Sequence, residues 1–258
     1  SIDINSIDKI SVIKGASALK YAGDAVGGVI IAETSKEKLL DSIYGNVTSN
    51  LQSNGRGGAL STNFTKTNSN GWYYKFQGTL KRMGDFETPK YAMTNTGFSE
   101  HNFSFKAGLN RIDHGFDIYY SLFSNRLGIL RSSHAHTAID IINAIENEIP
   151  HIIEDFSYNI NIPRQKISHN LLKLKAFKNF DFGKLVMRYD FQANDRKEFD
   201  IRRGDSRGKP ALDLNLKTHS LAFDLETKFE NNSNFAGVLL HFIPTPFMYV
   251  HQRFKWRS

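Results

Sequence analysis

Between residues 72 and 225 the chain repeats one pattern, an alternation of apolar and polar side chains in short runs. In Trp72-Tyr-Tyr-Lys-Phe-Gln-Gly-Thr-Leu80, one face carries Trp72, Tyr74, Phe76 and Leu80 and the other Tyr73, Lys75, Gln77 and Thr79. A period of two is that of a β-strand with an apolar medium on one side and water on the other. Phe103, Phe105, Ala107 and Leu109 oppose Asn102, Ser104, Lys106 and Asn110 in the same way, and Phe116, Ile118, Tyr120 and Leu122 oppose Asp117 and Ser121. Leu172, Leu174 and Ala176 face away from Lys173 and Lys175, and Leu185, Met187, Tyr189 and Phe191 away from Lys184, Arg188, Asp190 and Gln192. Leu221, Phe223 and Leu225 stand against Asp224 and Glu226. The chain is therefore expected to be mainly β and antiparallel. A soluble sandwich shares this period, so a second property has to choose between sandwich and barrel.

Connector length chooses. Short polar links at 67–71, 112–115, 180–183 and 230–234 alternate with long ones at 84–97, 127–165 and 199–213. Outer-membrane barrels have this asymmetry, with short periplasmic turns and long extracellular loops. A first strand near residues 43–51 that runs outward places every long connector outside the cell; the link at 53–58 is the exception, short where it should be extracellular. The segment 238–258, with Pro244 and Pro246, fits a central barrel strand badly, because proline cannot donate to a ladder.

Composition removes several classes of function. With no cysteine, disulfides, iron–sulfur clusters and thiolate zinc sites are excluded. No apolar run approaches the roughly 20 residues of a membrane helix, whereas a barrel strand needs only about 9–11 and is apolar at alternate positions. A mean hydropathy of -0.40 is compatible with that. The net charge of +7 is dispersed over strands and loops, so nucleic acid is not expected as a partner. A basic rim equally suits the phosphates of outer-membrane lipid and lipopolysaccharide.

The segment from Ile10 to Glu33 is the most specific stretch. Ile10, Val12 and Ile13 with Ser11 and Lys14 read as a short half-buried strand, which Gly15 ends at positive φ. Residues 16–21 can form one helical turn, and Gly27-Gly28 before Val29-Ile30-Ile31 lets backbone pack on backbone as a second strand begins. A phosphate-cradling glycine loop is the alternative, but no Gly-Lys-Ser/Thr and no long amphipathic helix follow. The segment resembles the last part of the plug domain of TonB-dependent outer-membrane receptors, IExIEVIKGxxSxLYGxxAxGGVIxI. It matches at Ile10, Val12, Ile13, Lys14, Gly15, Ser17, Ala18, Leu19, Tyr21, Gly23, Ala25, Gly27, Gly28, Val29 and Ile30, and departs at Lys20 and Ala22. Gly71-Trp-Tyr-Tyr, Lys81-Arg-Met-Gly-Asp, Ser168-His-Asn-Leu-Leu-Lys-Leu-Lys-Ala and Arg196-Lys-Glu-Phe-Asp-Ile-Arg-Arg-Gly204 are similar to early barrel strands and loops of that family.

The resemblance implies a fold and a task. The fold is a partial antiparallel transmembrane β-barrel preceded by the C-terminal piece of an α+β plug domain, with plug over 1–38 and barrel strands over 39–258. Gly15, Gly23, Gly27 and Gly28 become structural positions of the plug turn. The chain then reads as an internal fragment of a receptor that imports a scarce solute, an iron complex such as a siderophore or haem, across the outer membrane of a Gram-negative bacterium. Its energy comes from the TonB-ExbB-ExbD complex, through a box upstream of Ser1. A passive channel or adhesin-like barrel is the alternative, and it has no reason to carry a plug segment.

Candidate binding residues lie in the long connectors. Arg131-Ser-Ser-His-Ala-His136 offers Arg131, His134 and His136 to a small-molecule chelate, although two histidines without further ligands make no metal site. Residues 137–149 read as an amphipathic helix capped by Thr137, whose stripe of Ile139, Ile142, Ile145 and Ile149 packs the loop over the barrel mouth. Arg202 and Arg203 lie in a mixed-charge loop with Glu198, Asp200, Asp205, Arg207 and Lys209, where guanidinium groups can hold an anionic chelate or stay solvated. No nucleophile, acid and base stand in a catalytic order, so no enzyme, no cofactor and no resident metal are expected.

Overall fold

The computed structural model describes residues 3–15, 18, 27–34, 40–133, 141–142, 145–147, 149–150, 152–201, 208–229, 232–242 and 248–255, with side chains described up to residue 227. It opens with a 3-10 turn, Ile4–Ser6, capped by Asp3, whose Oδ1 accepts from the Asn5 amide at 3.0 Å. Strands β1 (Lys9–Ile13) and β2 (Val29–Glu33) then pair antiparallel, Lys9 opposite Glu33 and Ile13 opposite Val29. Gly15 has φ +70, and Gly28 has φ +118 with a position where any Cβ would lie 2.7 Å from the Ile13 carbonyl oxygen. The close backbone approach expected of Gly28 is thus present. Gly23 and the turn expected over 16–21 lie outside the described residues, Ala18 apart. The first strand is half-buried on one face, that of Ser11 and Ile13, while Ile10 and Val12 on the other are 55% and 61% exposed.

The rest is one ten-stranded antiparallel sheet. Its strands are β3 (Ser42–Gln52), β4 (Gly57–Thr67), β5 (Trp72–Met83), β8 (Phe98–Asn110), β9 (His114–Gly128), β10 (Arg164–Phe180), β11 (Gly183–Phe199), β12 (Leu212–Phe229), β13 (Asn232–Phe242) and β14 (Met248–Lys255), each paired with the next. The two-residue strands β6 (Phe86–Glu87) and β7 (Ala92–Met93) form a small hairpin within the first long connector. The segment expected to fit strands badly, 238–258, instead supplies the end of β13 and all of β14. The reason is local: β13 ends at Phe242 and β14 begins at Met248, and Pro244 and Pro246, between those bounds in sequence, lie outside the described residues.

Cross-strand registers assign the described strand side chains to a face. Through Lys75 opposite Thr65 and Lys106, Lys106 opposite Tyr119, Tyr119 opposite Lys173, and Lys173 opposite Asp190, one polar face runs from β4 to β11. The β1–β2 ribbon lies on this inner face. The outer face carries Ile43, Val47, Leu51, Leu60, Phe64, Tyr74, Phe76, Leu80, Phe105, Phe116, Ile118, Tyr120, Leu185, Met187 and Phe223, all exposed. Most of the buried set is polar, with Ser61, Thr65, Thr67, Gln77, Thr79, Glu100, Asn102, Ser104 and His169 beside the apolar Tyr73, Met83, Ile160 and Leu171. This distribution is inverted relative to a water-soluble domain, whose large aliphatic side chains go inside. No second large sheet faces the first among the described residues, so the sandwich reading fails.

Aromatic rings cluster on the outer face at the short-turn end. Trp72 meets Phe116 edge-on at 5.7 Å between centroids and lies parallel to Tyr74 at 6.4 Å. Further up, Phe76 and Phe103 pack at 5.1 Å.

Candidate functional site

A cavity of about 390 Å³ separates the ribbon from the inner face of the sheet. The ribbon side contributes Asp3, Ser6, Ile7 and Glu33, and the wall contributes Gln77, Lys106, Asp117, Tyr119, Lys173 and Lys175. Lys173 and Lys175 therefore point inward, as their alternation with leucines requires. Arg188 sits opposite Lys175 on the same face and is bonded to Asp224. The cavity carries charges of both signs, Asp3, Glu33 and Asp117 against Lys106, Lys173 and Lys175, beside apolar Ile7 and Leu171.

Ribbon and wall are joined by a buried hydrogen-bond chain. Gln77 Nε2 donates to Asp3 Oδ2 at 2.7 Å and to Thr79 Oγ1 at 2.8 Å. Thr79 Oγ1 donates to Ser61 Oγ at 3.0 Å, and Ser104 Oγ donates to Gln77 Oε1 at 3.3 Å. The Gln77 amide thus uses both its oxygen and its nitrogen, at 5% exposure. Nearby, Lys81 and Glu100 form an inward ion pair at 2.8 Å, with side chains 26% and 10% exposed.

At the long-connector end, segment 152–163 is strapped down over the connector 84–97. The Asp85 carboxylate, 2% exposed, accepts from the Thr96 amide at 2.9 Å and the Ser157 amide at 3.2 Å. Asn95, at φ 66, donates from Nδ2 to the Ile129 carbonyl at 2.9 Å and the Pro163 carbonyl at 2.7 Å, and its Oδ1 accepts from the Asn161 amide at 2.8 Å. A Cβ on Gly84 would stand 2.4 Å from Phe156, so the Phe156 ring can rest there only against glycine. The Arg56 guanidinium lies 4.2 Å from the centroid of the same ring.

The sequence-derived site residues fall as follows. Arg131 opens the 3-10 turn Arg131–Ser133 at the start of the longest connector. Its Nη1 donates to Glu154 Oε1 at 3.0 Å, its amide donates to the Thr94 carbonyl at 3.2 Å, and its Nε is buried without a partner. It is positioned by Thr94 and Glu154 at the edge of the strapped segment. His134, His136, Arg202 and Arg203 lie outside the described residues. The isoleucine helix is described only at 141–142 and 145–146, where the backbone is helical. Its packing role is not seen there: Ile142, Ile145 and Ile149 are exposed, Ile145 by 78%. The loop is fastened by Asp85 and Asn95 instead, two residues that periodicity could not single out. Among the described residues no group of three or more His, Asp or Glu converges as a metal site.

No protein-family model matches the chain, and no curated protein sequence matches it. Among solved structures, a point mutant of the ferric enterobactin receptor PfeA of Pseudomonas aeruginosa superposes with a TM-score of 0.65 at 12% identity. The match covers 93% of this chain and 36% of that one, so the chain spans about a third of the receptor's length. At such identity the likeness speaks for the fold: a partial antiparallel barrel wall with a plug-type segment against its inner face.

Proposed function

We propose that the chain is the closing piece of the plug, over 1–38, and the first strands of the barrel, over 39–258, of a TonB-dependent receptor of the Gram-negative outer membrane. The observation that carries this reading is the inverted burial: large apolar side chains from Ile43 to Phe223 are exposed on the outer face, and polar side chains are buried within. A bilayer around the wall removes that apolar surface from water, and the paired strands satisfy the backbone where no water is available. No described helix is long and apolar enough to cross a membrane, which leaves crossing by strands untouched. The ribbon on the inner face, with Gly28 at the turn of the plug-like motif, argues against the passive channel or adhesin, which needs no such occupant.

The transported solute is, on this reading, an iron chelate, a siderophore or haem, captured by the long connectors outside the cell. Arg131, His134, His136, Arg202 and Arg203 are the proposed contacts. TonB-ExbB-ExbD supplies the energy, because the outer membrane holds no source of its own. Moving the plug then requires breaking the Asp3–Gln77 hydrogen bond and opening the cavity at Lys106, Lys173 and Lys175.

Growth of a deletion strain on a panel of siderophore, haem and corrinoid sources tests the proposal. Loss of growth on one iron source, restored by the full-length gene and abolished again without TonB, is the expected result. Growth unchanged on every source, or TonB-independent growth, overturns it in favour of the passive barrel. In the full-length receptor, His134→Ala with His136→Ala should weaken chelate uptake while surface expression stays intact.

A further inference from the structure

At the short-turn end, the two residues ahead of the first ladder pair are held by side chains. Pairing of β3 with β4 begins where Ser42 stands opposite Thr67. Just before it, the Leu40 carbonyl accepts from Thr67 Oγ1 at 2.8 Å, and Thr67 is 1% exposed. The Asp41 carboxylate directs both oxygens to one residue: Oδ1 accepts from the Ser69 amide and Oδ2 from the Ser69 hydroxyl, each at 2.9 Å. Without these bonds β3 and β4 already pair along their whole lengths. Residues 40–41 are therefore fastened to the 67–71 turn beyond what strand pairing requires.

The turn that receives them is itself tied into the wall. The Asn68 amide donates to the Trp72 carbonyl at 2.8 Å, the Gly71 amide to the Asn68 carbonyl at 3.0 Å, and the Asn110 amide of β8 to the Gly71 carbonyl at 2.9 Å. Gly71, at φ +94, lies so close to β8 that a Cβ there would stand 2.5 Å from the Asn110 carbonyl oxygen. A pull on Asp41 is thus passed through Ser69 to β4, β5 and β8.

Direction of load gives these bonds a task. The chain comes to β3 from β2, which ends at Glu33 on the inner face, so a pull on the ribbon acts across the sheet as well as along it. The lengthwise component loads the whole ladder of β3 together. The crosswise component opens it from Ser42 one pair at a time, and a single ladder bond is modest. The fastening at residues 40–41 lies ahead of the first pair and takes that load before the ladder does. Resting on the reading above, in which the ribbon belongs to a plug drawn towards the periplasm, we infer that Asp41, Thr67 and Ser69 form a mechanical anchor, which fixes residues 40–41 as the boundary between the moving plug and the standing wall.

The test is single-molecule force spectroscopy on the full-length receptor in a lipid bilayer, with Lys9→Cys carrying the handle. Unravelling the chain from there to Leu40 frees about 30 residues, or about 100 Å, and in the otherwise unaltered receptor the extension should stop at that length. With Asp41→Ala and Thr67→Val together, β3 should peel at forces the unaltered wall withstands, adding about 40 Å for its 11 residues. Asp41→Asn with Thr67→Ser keeps an acceptor and a hydroxyl and should restore the stop. Thr67→Val alone, which removes one hydrogen bond at nearly constant volume, keeps the test meaningful if the double variant assembles poorly; it should shorten the lifetime of the stop at constant force about fivefold, as loss of one hydrogen bond requires. An unchanged stop in the double variant or in Thr67→Val overturns the inference, as does peeling of the Asn and Ser variant as readily as of the double variant. So does a lowered melting temperature of the detergent-extracted double variant, because a general support of the wall would produce it and an anchor against a directed pull would not. The force measurement needs no TonB, so growth that is independent of TonB removes the transport reading while the stop still decides the anchor.

Discussion

The two ends of the sheet use the same kinds of polar side chain under opposite conditions of burial. At the long-connector end, Asp85 and Asn95 are almost wholly enclosed and bind backbone groups from segments more than 60 residues apart in sequence. At the short-turn end, Asp41 accepts from the Ser69 amide and hydroxyl at 2.9 Å each, and the Asp113 carboxylate lies 2.9 Å from His114 Nδ1, all in exposed positions. A buried acceptor whose donor is removed leaves an amide without water or protein, at a cost of about 1–3 kcal/mol, whereas an exposed one is solvated at once. The long loops are thus held by a few buried residues, and the short turns largely by their own brevity.

The largest effect is expected where burial is deepest. Asn95→Ala leaves the Ile129 carbonyl and the Asn161 amide without this partner, leaves the Pro163 carbonyl with the Ile129 amide alone, and places alanine at φ 66, so segment 152–163 should lose about 3 kcal/mol of local stability. Limited proteolysis of the full-length receptor should cut within that segment, with the barrel intact. Asp85→Ala should act in the same direction by freeing the Thr96 and Ser157 amides. Resistance equal to wild type in both variants would falsify the claim that these two residues hold the loop.

A middle-sized effect is expected inside the lumen. Gln77→Leu removes the contact to Asp3 and leaves the Asp3 carboxylate and the Thr79 hydroxyl with fewer partners, at about 1–3 kcal/mol. In the proposed receptor, the plug should then unfold at lower denaturant than the wall, reported by a fluorophore on the ribbon. Simultaneous loss of ribbon and wall signals in the variant, as in wild type, would show that Gln77 does not join the two.

How much of this could be read from residues alone follows from the range of each signal. Alternation is local, so the strands from Trp72 to Leu225 and the inward Lys173, Lys175 and Arg188 were legible, as was the close approach at Gly28. What a strand pairs with is not local: the inward ion pair of Lys81 with Glu100 exists only once the register of β5 with β8 is known. The same holds for Asp85 and Asn95, ordinary loop residues by sequence whose partners lie far along the chain. Prolines at 244 and 246 misled because the pattern shows a break without showing that strands resume on both sides. The histidine and arginine candidates of the long loops carry chemistry by residue type only, which says nothing of the Glu154 partner that Arg131 has in the fold.

The smallest effect sharpens the comparison from the exposed side. The Asp41 carboxyl is held below the ordinary aspartate range, first by the Ser69 backbone amide and next by the Ser69 hydroxyl. A depressed pKa in the folded state means the ionised form is the one stabilised, so the contribution is complete above the ordinary aspartate value and is lost as pH falls through the lowered one. At neutral pH the contact is therefore fully present, and only acid weakens it. Ser69→Ala removes the second cause and keeps the first, so the Asp41 titration midpoint, followed by NMR of the labelled carboxyl carbon, should rise only part of the way to the ordinary value. Asp41→Asn should abolish the acid dependence of this turn without measurable change in the neutral-pH stability of the barrel, as expected of an exposed contact. A large loss of neutral-pH stability in that variant would mean that the short turns, too, rest on single side chains, and the contrast between the two ends would disappear.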